Sequence, residues 1–195
     1  MDKLNLILDL DQTLLSAESP EKNIPNKDRY VVHDMMNLYH IIERPGLQSF
    51  LDYIFENYNV SVWTAASKEY ATYVIEHIIL QNKKERELKW VLFSYHCELS
   101  NSLTSCDKDI SLLWRTFNID LFNSSNTVMI DDNDHIWKHQ PNRVIHIPGF
   151  WPERDTFTDN KLLLNISYLE KIKKNPSKLE HYVKKINDLF KNDNI

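Results

Sequence analysis

Leu4-Asn5-Leu6-Ile7-Leu8-Asp9-Leu10-Asp11-Gln12-Thr13 is the stretch that decides how this chain folds. A short, nearly continuous apolar run ending in acid is the pattern of a buried parallel strand whose carboxyl end opens on a site. Asp9 and Asp11 stand two apart, so in extended backbone both carboxylates point to one side while Leu10 points away. Two like charges that close need a cation or a proton.

Working outward, Ser16 to Asp28 carries Pro20 and Pro25 among polar residues and reads as a loop. Tyr30-Val31-Val32-His33 and Leu38-Tyr39-His40-Ile41-Ile42 then flank a polar turn as a hairpin. From Gly46, the residues Leu47, Phe50, Leu51, Ile54, Phe55 and Tyr58 recur at helical spacing, with Pro45 suited to the first turn. Val60 to Thr64 alternates as a strand, and Tyr70, Val74, Ile75 and Ile78 mark another helix. Gln81 to Lys89 is charged and reads as a wet helix end or loop, before a strand at Trp90-Val91-Leu92-Phe93.

A helix from about Asp109 to Phe117 leads to the apolar strand Thr127-Val128-Met129-Ile130-Asp131-Asp132. Arg143 to Ile147 forms the last short strand. Two amphipathic helices follow at about 160–191, the second opening with Ser177 and Glu180 in capping-box spacing. Strand-helix alternation without a linker predicts an α/β fold: one domain over 1–195, with its motif-bearing core at about 4–164. The architecture is a three-layer sandwich with a mostly parallel sheet, a small β-hairpin insertion and no large cap.

Composition removes several functions. The 195 residues carry 23 basic and 28 acidic side chains, a mild negative balance that argues against a phosphate-backbone binder of nucleic acid. Asp9 cuts the first apolar run short of a signal-peptide core, and no run approaches the ~20 residues of a membrane span, so a soluble intracellular protein is expected. Gly46 and Gly149 are the only glycines, which excludes a Walker loop and a dinucleotide fingerprint. Cys97 and Cys106 lack the partners of a zinc site and read as reduced thiols. His135 and His139 have no third ligand and read as surface histidines, while Trp137, Phe150 and Trp151 read as core.

In an open α/β sheet, ligands bind beyond the carboxyl ends of the strands, where Asp9, Thr64 and Asp131-Asp132 fall here. A hard cation held by oxygens answers the crowding of Asp9, Asp11 and Asp132, and magnesium suits a site with few protein ligands and room for phosphate. An EF-hand fails, because the sixth position from Asp9 is Leu14 and the twelfth is Pro20.

Asp9-Leu10-Asp11-Gln12-Thr13 after an apolar strand resembles motif one of the haloacid dehalogenase superfamily. More narrowly, the chain resembles its carboxy-terminal-domain (CTD) phosphatase branch, the FCP/SCP type. Supporting matches are Arg44-Pro45-Gly46, Trp63-Thr64-Ala65-Ala66, Lys108-Asp109-Ile110-Ser111 and Val128 to Trp137 with its Ile130-Asp131-Asp132-Asn133-Asp134 core. They run in the family's order over about Leu4 to Leu164, and the segment Leu80 to Asp107 departs from the pattern.

The resemblance implies that Asp9 attacks phosphorus as a nucleophile and that Asp11 serves as general acid and base. It implies that Thr64 and Lys108, with Leu10 and Asp11, bind the substrate phosphate. Magnesium would be held by Asp9, the Asp11 carbonyl and Asp132, with Asp131, Thr13 and Arg44 in support. Adjacent Asp131 and Asp132 face opposite sides of an extended strand, so Asp132 is favoured as ligand while Asp131 is structural or orients Lys108. The plainer readings are that Thr64 caps a helix, Lys108 sits on a solvated face and Arg44 makes a structural contact beside Pro45. The implied substrate is a phosphorylated Ser/Thr protein or peptide, such as the RNA polymerase II tail. A small-metabolite phosphatase is the rival, and a non-catalytic binding scaffold, as in the related mitochondrial translocase subunit, is the reading of another class.

Overall fold

The computed structural model describes residues 3–154 and 157–192. Its strands are β1 (Asn5–Leu8), β2 (Leu15–Glu18), β3 (Val32–Met35), β4 (Tyr39–Glu43), β5 (Asn59–Trp63), β6 (Leu88–Leu92), β7 (Thr127–Asp131) and β8 (Val144–His146). The α-helices are α1 (Leu47–Asn57), α2 (Lys68–Val74), α3 (Ser94–Thr104), α4 (Leu112–Arg115), α5 (Asp134–His139), α6 (Lys161–Lys174) and α7 (Leu179–Asn192), and α2 runs on as a π-helix over Ile75–Leu80. No helix among the described residues is long and apolar enough to cross a membrane.

β1 lies at the centre of a five-stranded parallel sheet in the order β6-β5-β1-β7-β8. All four of its residues are buried, as a strand covered on both faces requires. Alternation then divides the sheet's side chains between two layers of helices. Leu6, Leu8, Val60, Val62, Val128 and Ile130 pack against α1, α2, α6 and α7. Ile7, Trp63 and Met129 join Cys97, Leu113 and Ile136 of α3, α4 and α5 on the other face. The three-layer sandwich follows directly from this period of two.

Register fixes where the strands end. Leu8 pairs with Val62 and with Ile130, and the Asp9 amide donates to the Ile130 carbonyl at 3.0 Å. Asp9, Thr64 and Asp131-Asp132 are therefore brought to one edge of the sheet. The far edge strand, β8, is closed by α7: Asn187 Nδ2 donates to the Val144 carbonyl at 2.9 Å, and Asn187 Oδ1 accepts from the His146 amide at 2.8 Å.

The structure departs from the sequence reading at several places. The insertion is a three-stranded antiparallel sheet, order β2-β4-β3, because Leu15–Glu18 pairs with Tyr39–Glu43 where a loop beginning at Ser16 was expected. Ser16 satisfies itself inside by donating to Glu18 at 2.8 Å, so two polar residues sit in a buried strand. The helix expected over Asp109 to Phe117 is regular only at Leu112–Arg115. The strand expected at Trp90 to Phe93 starts earlier, at Leu88. The capping box does not form: Pro176 starts a tight 3₁₀ turn that holds Ser177, and Glu180 pairs with Arg143 at 2.6 Å. α3 and α5 have no counterpart in the sequence reading.

Arg44 ties these parts together. It is 1% exposed, and Nε and Nη2 hold both oxygens of Asp159 at 3.0 and 2.9 Å. Nη1 donates to the Thr13 and Gln12 carbonyls at 3.0 and 3.4 Å, and Nη2 also donates to the Pro148 carbonyl at 2.8 Å. Beside it, Gly46 takes a left-handed conformation (φ 81°) as the cap of α1, where a Cβ would also meet Leu163 at 3.0 Å. Arg44→Met would strand a buried carboxylate and three carbonyls, at a cost of about 3–5 kcal/mol. For a chain of this size that is a fall in melting temperature of about 6–20 °C, read by calorimetry. Arg44→Lys recovers little of it, because an ammonium cannot span the fork.

Candidate active site

Asp9 stands one residue beyond β1 and is 6% exposed. Its Oδ1 accepts from Lys108 Nζ at 2.5 Å, and the same ammonium donates to Asp131 Oδ2 at 2.8 Å. Asp131 Oδ1 accepts from the Asn133 amide at 2.8 Å, so both oxygens of that carboxylate are used within the protein. Burial works to lower the pKa of Lys108, but the charges of Asp131 and Asp9 overcome it and hold the group protonated. Burial pushes Asp131 up and Asp9 adds to the push, with Lys108 opposing both.

Lys108 lies outside regular structure and is positioned through its backbone. Gln140, at the end of α5, donates to the Lys108 carbonyl at 2.6 Å and accepts from the Ile110 amide at 3.0 Å. From the other side, Ser100 of α3 donates to the Cys106 carbonyl at 2.6 Å and accepts from the Asp109 amide at 3.0 Å.

Asp132 is fixed by Thr13, whose hydroxyl donates to its Oδ1 at 3.2 Å and accepts from its amide at 3.1 Å. Among the described residues, oxygens of Asp9, Asp131 and Asp132 all lie within 4.8 Å of one another. Burial first, then the charges of Asp9 and Asp131, push Asp132 up to about 7. Three carboxylates and one ammonium leave two negative charges unbalanced. An all-oxygen donor set with that deficit fits a hard divalent cation, and magnesium suits it. Asp9 and Asp132 are the members with oxygens to spare.

The Asp11 carboxylate is not one of these three. Its Oδ1 accepts from the Tyr70 hydroxyl at 2.6 Å. Burial raises its pKa to about 6 against the pull of the Tyr70 hydrogen bond, with the Asp9 charge adding to the rise. Thr64, 1% exposed, accepts from the Ala66 amide at 3.0 Å and so holds the turn into α2, with no acceptor for its hydroxyl proton among the described residues. Asp9, Asp11, Thr64, Lys108, Asp131 and Asp132 line one cavity of 230 Å³. Arg44 and Leu10 do not: Arg44 is consumed by its structural contacts, and the Leu10 side chain is fully buried, so contact with a ligand at that position falls to its backbone.

Tyr70 and Gln140 escaped the sequence reading. Tyr70 counted there as one apolar position of a helix, and only its hydroxyl distinguishes it. A glutamine that bonds the carbonyl of a lysine 32 residues away and the amide two residues beyond it leaves no local signal at all.

A parallel sheet with acids at its central strand ends and an antiparallel insertion after the first strand is the haloacid dehalogenase-like phosphatase fold. The model of the NLI interacting factor-like phosphatases matches residues 4–180, and the chain belongs to that family. It is 38% identical over 170 residues to the CTD phosphatase-like protein 355R of Invertebrate iridescent virus 6, covering 82% of this chain and 93% of that one. The protein of the same name in Invertebrate iridescent virus 3 is also 38% identical, over 184 residues, covering 86% and 96%. Among solved structures, the beryllium fluoride-bound RNA polymerase II CTD phosphatase Fcp1 of fission yeast shares the fold at a TM-score of 0.51 and 20% identity, covering 98% of this chain. The chain spans 64% of the length of that structure.

The geometry makes Lys108 a structural cation as well as a site residue. Lys108→Met keeps most of the volume but leaves Asp131 buried beside Asp9 with no counter-charge, and costs about 3–5 kcal/mol. The measurement is the urea midpoint at neutral pH, and an unchanged midpoint would contradict the buried ion pair.

Proposed function

We propose that the chain is a magnesium-dependent phosphomonoester hydrolase that works through an aspartyl phosphate and acts on phosphorylated serine or threonine in proteins. The observation that carries this reading is the placement of Asp9 against the Lys108 ammonium, with Asp11, Thr64 and Asp132 lining the same cavity.

Asp9 Oδ1 is held by Lys108, and no residue among those described donates to Oδ2, which is free to form the bond to phosphorus. As that bond forms, the bond from phosphorus to the leaving oxygen breaks, and Asp11 gives its proton to that oxygen. Asp11, now a carboxylate, takes a proton from water, whose oxygen attacks phosphorus and frees Asp9 and phosphate. The Thr64 hydroxyl proton and Lys108 balance charge on the phosphoryl oxygens. Asp9, Asp132 and the Asp11 carbonyl would hold magnesium, which when bound neutralises the carboxylates and polarises the phosphoryl group.

The cavity of 230 Å³ is smaller than the ~300–1,000 Å³ of pockets that engulf a drug-sized ligand. It accommodates a phosphoryl group and its nearest atoms and leaves the rest of the substrate on the surface. That favours an extended peptide, which gains binding energy outside the cavity, over a nucleotide or sugar phosphate. The RNA polymerase II tail is the first protein substrate to test, because the names of the relatives point to it.

Hydrolysis of an aryl phosphate should require magnesium and vanish in Asp9→Asn while the fold survives, as followed by release of the phenol and by circular dichroism. Turnover by Asp9→Asn at the wild-type rate would remove the nucleophile assignment. In a comparison of kcat/KM at one magnesium concentration, phosphoserine peptides with a neighbouring proline should exceed nucleoside monophosphates and sugar phosphates. A nucleotide or sugar phosphate ahead by an order of magnitude would overturn the protein substrate and leave the chemistry standing.

A further inference from the structure

Tyr70 occupies the first turn of α2, seven residues after the end of β5, and its hydroxyl reaches Asp11 Oδ1 at 2.6 Å. That length is typical of a charge-assisted O–H···O bond. The tyrosine is held from three directions. Ser67 caps the helix by accepting the Tyr70 amide at 3.3 Å. The ring meets Tyr39 of β4 edge to face, with centroids 5.9 Å apart and planes at 84°. One turn on, the Tyr73 hydroxyl donates to the Asp34 carbonyl at 2.9 Å and pins α2 to β3.

Asp11 needs such a partner. The terminal torsion of an aspartate is broad, so an unheld carboxylate presents its two oxygens almost interchangeably. With Oδ1 taken by Tyr70, Oδ2 is the oxygen with no protein partner among the described residues. We infer that Tyr70 is a positioning residue for the proton transfers of Asp11, and that its phenol selects the oxygen that exchanges the proton with the leaving group and then with water. The inference rests on the acid and base reading of Asp11 and adds to it the group that orients it. A tyrosine that merely packed against the insertion would need no hydroxyl.

Tyr70→Phe keeps the ring, the Tyr39 contact and the Ser67 cap. Leaving-group release is followed in single turnovers, with a phosphoserine peptide as the poor leaving group and 4-nitrophenyl phosphate as the good one. Release from the peptide should slow by about tenfold to a hundredfold, the scale on which misplacing a reacting group acts. Release of 4-nitrophenol should slow much less, and KM should hold. The same change made in Asp11→Asn should add nothing. Tyr70→His, which retains a ring and a donor, should recover part of the loss. Equal slowing of both substrates, or a full effect persisting in Asp11→Asn, overturns the inference. If Asp11→Asn slows peptide release and Tyr70→Phe does not, the inference alone falls. If Asp11→Asn is itself indifferent to the leaving group, the acid reading falls and takes the inference with it.

Discussion

A single buried ammonium, that of Lys108, lies between Asp9 and Asp131 at the carboxyl edge of a parallel sheet, and the surrounding structure is arranged to keep it there. Three carboxylates this close could not all stay ionised out of water without compensation. One positive charge compensates only part of the deficit. The site therefore stays attractive to a further cation while the fold remains tolerable without it. Asp131 gives both oxygens to protein donors, whereas Asp9, which shares the lysine through Oδ1, and Asp132 keep spare lone pairs that can hold an ion.

The parallel register explains how three distant segments share that charge. Because Leu8 pairs with both Val62 and Ile130, residue 9 must lie level with the ends of β5 and β7. Asp9 has the parity of Ile7, and Asp131 that of Met129, both of which face α3, α4 and α5. That is the side from which Lys108 comes. The alternation that builds the core thus also aims the two carboxylates at the lysine, while Asp132, one residue on, turns to Thr13. A one-residue slip of β7 would exchange their roles.

What could be read from residues alone follows the strength of local patterning. β1 and β7 were legible because each is an apolar run stopped by acid, and α1 because its apolar residues repeat at helical spacing. β2 was not, since Leu-Ser-Ala-Glu carries two polar residues that are satisfied only once the strand folds. α3 is the sharper case. Its inward positions are Cys97 and Ser100, whereas Tyr95, Leu99 and Leu103 are exposed, so its apolar stripe points away from the core that holds it. Reading helices from the stripe that should be buried fails on such a segment. Among the site positions, strand ends were visible, whereas Tyr70 and Gln140 act through single hydrogen bonds that only tertiary structure creates.

The loop bearing Lys108 shows how a residue outside regular structure is held in the site. Its ammonium has to sit within hydrogen-bonding reach of two carboxylates, yet the residues that carry it are neither helix nor strand. The restraint comes from backbone contacts on both sides: Ser100 grips Cys106 and Asp109, and Gln140 grips Lys108 itself and Ile110. Ser100 belongs to the helix directly upstream, and Gln140 to the end of α5, so both grips lie within one layer of the sandwich. Upstream, Arg86 anchors a separate point, donating to Gln48 at 2.9 Å and to the Ile79 carbonyl at 2.6 Å on the opposite side of β6. Length and sequence between these anchors can change while the lysine keeps its place, because its position is measured from Ser100 and Gln140 and not along the chain from β6.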